Sequence, residues 1–304
     1  MLLLMELGLL VKLQAAINLM TLKHSLLAAA YPPLRICNSL LRKAGSRPSA
    51  RLRVLLYHDI APQHESHFAA QLRWLSQSWR FVTPQQFAAM VDGVMPVQQD
   101  SLLLTFDDGF VSNRGVVERI LNPMGLCALF FIVSKFSGLS RGDDWRSFVA
   151  QNIDPGLNPE VVPNHKQNMS TDDLKFLIET GHSIGAHTAN HLRLSHISHE
   201  HLGDEIIRSA DVLEQKLGIK IEHFAYTFGD LASFTPSALA IARSRFKYIH
   251  TGLRGNNARM TPPWAIRRDS LAATDPLYLL GAFLEGGADR FYLSSLSEYD
   301  SWGT

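Results

Sequence analysis

Thr105-Phe106-Asp107-Asp108-Gly109 and His187-Thr188-Ala189-Asn190-His191 are the two stretches of this 304-residue chain whose residue types could do chemistry together. Adjacent carboxylates repel, so a pair at one strand end is costly unless a cation or a proton separates their roles. Taken alone, Asp107-Asp108-Gly109 could equally be a solvated turn. The histidines change the balance. At four residues apart both rings can face one ion, and with a single carboxylate they form a three-ligand set that leaves positions for water and substrate. Such an ion makes water more acidic and polarises a carbonyl, while the second carboxylate is left to act as general base. An isolated H-x-x-x-H is weak, because surface histidines share that spacing. His196, His199 and His201, in a polar segment just beyond, are read as a solvated helix start.

The flanking sequence supplies the elements that must position these groups. Leu102-Leu103-Leu104 is an apolar run suited to a central parallel strand. Ser183 to Ala186 delivers His187, and Val54 to Tyr57 ends at His58. Phe81-Val82, Ala128 to Val133, Phe224 to Phe228, Tyr248 to Thr251 and Ala265 to Arg268 read as further strands. Helical segments lie between them: Phe68 to Ser76, a helix opened by Thr83-Pro84-Gln85-Gln86 that stops near Asp92-Gly93, and one around Val116 to Leu121. Further helices run from Ser170 to Gly181, from Leu202 to Leu217 with Gly218 closing it, and onward from Thr235-Pro236. This alternation predicts parallel strands with helices outside, as a barrel or an open doubly wound sheet. In both, functional groups gather at the carboxyl ends of the strands. His58, Asp107-Asp108, His187, Phe228-Gly229 and Arg268 all stand there. Residues 137–168, rich in Gly, Pro, Asn and Asp, are read as an excursion over the site.

Hydrophobic residues at 46%, charged residues at 19% and a net charge of +1 describe a globular protein with no case for nucleic acid as partner. Cys37 and Cys127 cannot make a disulfide framework. Met1 to Leu10 is apolar but contains Glu6, and Lys12 and Lys23 interrupt any run of the roughly 18 uncharged residues a transmembrane helix needs. Ala28-Ala29-Ala30 offers a weak cleavage site, but no basic residue opens the chain as a secretory signal requires. Leu34, Ile36, Leu40 and Leu41 with Arg35, Arg42 and Lys43 predict a short amphipathic helix. It either packs on the domain or makes peripheral contact with a membrane surface. Residues 44–49 read as a linker. The expected division is an N-terminal amphipathic segment and linker over 1–50 and a catalytic domain over 51–304. A cytoplasmic or inner-membrane-associated location is favoured over a secreted one.

Three motifs in order, Thr105 to Gly109, His187 to His191 and Phe224-Ala225-Tyr226-Thr227-Phe228-Gly229, resemble those of the polysaccharide deacetylases with NodB homology. Leu55-Leu56-Tyr57-His58 is similar to the opening strand of many members, and the resemblance spans roughly Arg51 to Asp275. It implies an α/β fold, a distorted (β/α) barrel, that removes N- or O-acetyl groups from sugars with a divalent metal, and N-acetylated glycans are the substrate expected here. Zinc is the first expectation, with cobalt, nickel or ferrous iron as alternatives. By position, the resemblance implies Asp107 as general base, Asp108, His187 and His191 as metal ligands, and the Phe228 N–H as donor to the oxyanion. Two departures stand out. Ala225 occupies the place of the arginine that orients the base in many members, and Arg268 is expected to substitute by pairing with Asp107. The family's late Leu-His motif is not evident, and His58 is the candidate general acid. Tyr226 and Trp264 are candidates for contact with the sugar, although a core position is the commoner fate of such aromatics. Rival readings are a deformylase or other C–N hydrolase, a silent carbohydrate-binding protein, and a ferrous oxygenase. The last gives Asp107 no task.

Overall fold

The apolar runs become the strands of one parallel sheet in the computed structural model, which describes residues 22–140, 144–257 and 261–303. The strands are β1 (Leu52–Tyr57), β2 (Arg80–Phe81), β3 (Ser101–Phe106), β4 (Ala128–Ile132), β5 (Ser183–Ala186), β6 (His223–Ala225), β7 (Tyr248–His250) and β8 (Asp269–Ser270). Their order is β7-β6-β5-β4-β3-β1-β8, with β2 added alongside β3. Every ladder is parallel. Residues 263–271 bring the two edges together. Ile266 donates to Ile249 O at 2.9 Å and Thr251 to Ile266 O at 2.8 Å, and the same segment continues into β8 against β1, where Leu271 donates to Leu56 O at 2.9 Å. The result is a distorted (β/α) barrel with its helices outside.

Both faces of β1, β3 and β4 are buried, which is why Val54 to Tyr57, Leu102 to Leu104 and Ala128 to Ile132 read as apolar runs rather than alternating ones. Register then decides what the strand ends present. Tyr57 pairs with Phe106, so His58 and Asp107 leave the sheet side by side. Ile132 pairs with Ala186, which brings His187 out at the same carboxyl end of the sheet.

Local signals match the elements closely. Thr83 and Gln86 form a reciprocal cap on the helix Pro84–Val91, and Ser170 and Asp173 do the same for Thr171–Glu179. Gly218, at φ 67°, closes His199–Leu217 in the left-handed conformation that glycine tolerates. Two expected strands differ. Phe224 to Phe228 stops as a strand at Ala225, because the chain must turn away from the sheet to reach φ 62° at Phe228. Ala265 to Arg268 contributes only an isolated bridge at Ile266, the ladder residues being Asp269 and Ser270. The seam there is bridged by one segment that changes neighbours midway.

The helix Tyr31–Lys43 lies on the barrel rather than apart from it. Asn38 donates to Glu285 Oε2 at 2.7 Å, and Arg42 pairs with Asp100 at 2.9 Å. Its last turn thus reaches the residue before β3, at the end of the barrel opposite the aspartates. Residues 1–21, including the apolar start Met1 to Leu10, lie outside the described residues.

Candidate active site

Asp107 and Asp108 follow β3, His187 follows β5, and the turn after it carries His191. All four are nearly closed to solvent, at 2%, 2%, 1% and 5% exposure. Among the described residues, non-glycine backbone at positive φ occurs only at Asp108 (73°), Thr188 (62°), His191 (59°) and Phe228 (62°). Each such residue costs about 1–3 kcal/mol, and that strain persists only where the surrounding structure imposes it. Its concentration here marks one built constellation.

Asp108 Oδ1 lies 3.5 Å from His187 Nε2 and 3.3 Å from His191 Nε2, yet no acceptable hydrogen bond reaches that buried oxygen. The contacts are electrostatic, and one ligand atom from each residue falls within 4.8 Å of the others. The other ring nitrogens are committed: His187 Nδ1 donates to Ala225 O at 2.8 Å and His191 Nδ1 to Asn152 O at 2.8 Å. Those bonds leave the Nε2 lone pairs facing the carboxylate, the tautomer a cation requires. An orphaned carboxylate oxygen and two oriented imidazoles suit a divalent metal such as zinc.

Burial works to raise the Asp108 carboxyl, but contact with His187 and His191 holds it well below the ordinary carboxylate range. Burial would likewise lower His191, and Asp108 outweighs it, so the imidazole is raised.

Asp107 is held from the other side. Arg268, fully buried, donates Nη1 and Nη2 to its two oxygens at 2.7 and 3.0 Å, and Nε to Thr251 O at 2.9 Å. The pairing anticipated from the sequence is therefore the one present. Asp107 Oδ2 is also 3.7 Å from His187 Nε2, so the two aspartates straddle one ring with different partners. His58 is exposed beside them, and the Asp107 N–H donates to Tyr57 O at 2.9 Å. Phe228 is 42% exposed at the mouth, its ring 4.9 Å from that of His191 and covered by the Arg193 guanidinium at 4.7 Å. Its N–H makes no hydrogen bond among the described residues.

Tyr226 and Trp264 are not part of this group. Tyr226 is 1% exposed and stacks on Phe234 at 4.0 Å. Trp264 packs on Tyr299 at 5.8 Å, and the Arg243 guanidinium sits over it at 5.0 Å. Large apolar rings gain most by burial, and the helix Leu293–Ser301 supplies the partners.

Several neighbours escaped the sequence reading. Glu205 is buried, accepts from the Asn190 N–H at 3.0 Å and also receives its side-chain amide. Asn152 donates to Asn190 O at 2.9 Å. A carboxylate at an inward position of His199–Leu217, between Leu202 and Ile206, was the available signal. At the rim, His165 Nε2 meets Asp59 at 3.0 Å, and Lys166 joins Asp59 at 3.6 Å to Asp154 at 2.5 Å. Burial would lower Lys166, but Asp59 and Asp154 keep it raised, and Asp108 adds to their field. The excursion after β4 thus reaches the site as expected, through Asn152 and Lys166, with Val149 and Ile153 packed on Phe110 and Phe136.

Comparisons with known proteins agree with this geometry. Residues 95–245 match the family model for polysaccharide deacetylase. YxkH of Bacillus subtilis (strain 168), whose name assigns it to the polysaccharide deacetylases, is 22% identical over 59% of this chain. The chain spans 57% of that relative's length. Among solved structures, IcaB from Ammonifex degensii aligns with TM-score 0.61 and 23% identity over 77% of this chain and 97% of its own. The Streptococcus pyogenes deacetylase PplD, solved with acetate, aligns with TM-score 0.60 and 19% identity over 76% and 96%. These likenesses concern the fold. The matched segment contains Asp107, Asp108, His187, His191 and Phe228, whereas His58 and Arg268 lie outside it and join through the barrel. With fold, motif order and family match in accord, residues 95–245 form a polysaccharide deacetylase domain.

Proposed function

We propose that this protein is a metal-dependent hydrolase that removes N-acetyl groups from amino sugars of a polysaccharide or a lipid-linked glycan. The observation that supports this best is the division of the two aspartates: Asp108 faces two imidazoles with an unsatisfied oxygen, and Asp107 is clamped by Arg268. A divalent cation held by Asp108, His187 and His191 would supply Lewis acidity, making water more acidic and polarising an acyl carbonyl.

The remaining work falls to the chain itself. Asp107 takes the proton from the attacking water as general base. Arg268 keeps that carboxylate oriented, standing in for the arginine absent at position 225. The Phe228 N–H, without another acceptor, is the donor for the developing oxyanion, a role independent of the side chain. His58, exposed at the end of β1, protonates the departing amine.

The test is acetate release from N-acetylated chito-oligomers and cell-envelope glycans by protein loaded with zinc, cobalt or nickel. Mass spectrometry of the acid distinguishes acetate from formate, and so separates a deacetylase from a deformylase. Activity lost on chelation, restored by cation and absent in Asp107→Asn is the expected outcome. A protein that binds no divalent cation and releases no acid would leave only a silent carbohydrate-binding domain.

A further inference from the structure

Residues 22–29 are helical, and the helical backbone continues through Ala30 into Tyr31–Lys43. Ala30 has φ −75° and ψ −10°; its N–H donates to Leu26 O at 3.0 Å, and Leu34 donates to Ala30 O at 3.0 Å. One face of this rod is fastened to the barrel. His24 meets Phe283, Leu27 and Ala28 pack on the main core, and Tyr31 and Asn38 are buried. The opposite face carries Leu22, Leu26, Ala29, Pro33, Ile36 and Leu40, spaced alternately by four and three residues along a helix. All six are exposed, the four large ones at 55%, 63%, 63% and 61% for Leu22, Leu26, Ile36 and Leu40. The rod is therefore apolar on both sides, and only one side has a partner among the described residues. A continuous exposed apolar stripe of this kind marks a docking surface.

Charge identifies the occupant. From Leu7 to His58 the chain has no Asp or Glu but eight basic residues. Arg42, Arg51 and Arg53 pair with carboxylates of the barrel. Lys23, Arg35, Lys43 and Arg47 are exposed and form no ion pair among the described residues. A second copy of the same rod would bring basic flanks against basic flanks, which opposes pairing. An apolar stripe edged only by cations instead suits a surface of anionic lipid headgroups over acyl chains. No described helix is long and apolar enough to cross a membrane, and a stripe along one side of a rod suits contact in the plane of the interface. We propose that residues 22–43 dock this protein on an anionic bilayer surface, with Leu22, Leu26, Ile36 and Leu40 entering the interface. The stripe shares no residue with the Asp107–His191 group, so this docking stands or falls apart from the catalytic reading.

Co-sedimentation of the full chain with phosphatidylcholine vesicles, with and without phosphatidylglycerol, tests it. The expected result is binding that requires phosphatidylglycerol and weakens with salt. Leu26→Ser/Ile36→Ser/Leu40→Ser should reduce the bound fraction on those vesicles about tenfold or more, because the apolar face supplies most of the insertion energy. Lys23→Gln/Lys43→Gln should weaken binding about tenfold. Since every altered side chain is exposed, unchanged circular dichroism and thermal midpoint are expected and show that the fold survives. Binding of the triple variant equal to the parent would overturn the proposal. So would a lipid-free dimer, seen by sedimentation velocity, that the same triple variant dissociates.

Discussion

Arg268 and Asp107 stand 161 residues apart in the chain and meet as a bidentate pair out of water. Deleting one member of a buried pair costs about 3–5 kcal/mol, so Arg268→Ala tests folding as much as catalysis. Arg268→Lys is the sharper probe: it keeps the charge but cannot offer two parallel donors. If Arg268 orients the base, kcat should fall about 10- to 100-fold with KM little altered, since the loss is in positioning rather than ground-state binding. Steady-state kinetics on a chito-oligomer decide this. A kcat equal to the parent's would show that Asp107 needs no such clamp.

The loop from His187 to His191 is an element whose shape depends on neighbours rather than on its own sequence. Thr188 Oγ accepts from the His191 N–H at 2.9 Å, which nucleates the turn, but its position is set by Glu205 beneath Asn190 and by Asn152 across it. Removing Glu205 strands the Asn190 donors in a buried place, at about 1–3 kcal/mol. Supports of this kind typically change metal affinity about 10- to 100-fold when lost. Glu205→Ala should therefore weaken zinc binding by that factor in calorimetry, with Glu205→Gln intermediate because one acceptor remains. Equal affinity in all three proteins would make Glu205 a purely structural residue. Gly229 imposes a parallel constraint on the Phe228 loop. A Cβ there would come within 2.8 Å of Gly252 Cα, forcing apart the loops that follow β6 and β7.

On the scale of the molecule, the barrel holds histidines that tie stability to pH. Burial depresses His182 and His223 to about 4 and pushes His250 well down; His223 Nδ1 and His250 Nε2 share a hydrogen bond at 3.1 Å. These groups are neutral when folded but protonate near 6.5 when unfolded. The unfolded state therefore gains protons first, and stability falls as pH drops from about 6.5 towards 4, by about 3 kcal/mol for His223 alone. The raised His191 acts in a different interval: its contribution is present below about 6.5 and is lost as pH rises above it. Urea midpoints of metal-free protein should decline as pH falls across the interval from about 6.5 to about 4. A midpoint independent of pH between 7 and 4.5 would contradict the burial of these rings.

Much of this protein is determined by order along the chain. Apolar runs ending in Asp107-Asp108 and His187, helix caps at Thr83 and Ser170, and Gly218 past a helix end depend on contacts within a few residues. Their elements accordingly form where the pattern places them. The grouping of Asp107 and Asp108 with His187 was legible for a related reason: the carboxyl ends of parallel strands lie at one end of a sheet, so residues there converge whatever separates them in sequence. What depends on the third dimension was not legible. Whether Tyr226 meets sugar or Phe234 is decided by the helix that covers it, and alternation along the strand says nothing about that helix. The end of β6 and the two-neighbour seam at residues 263–271 follow from closing the barrel, a constraint on the whole sheet. Asn152 and Glu205 support the histidines through a carbonyl and a carboxylate brought in from other elements. A main-chain acceptor carries no signature in residue type, which is why only the folded chain reveals which one holds His191.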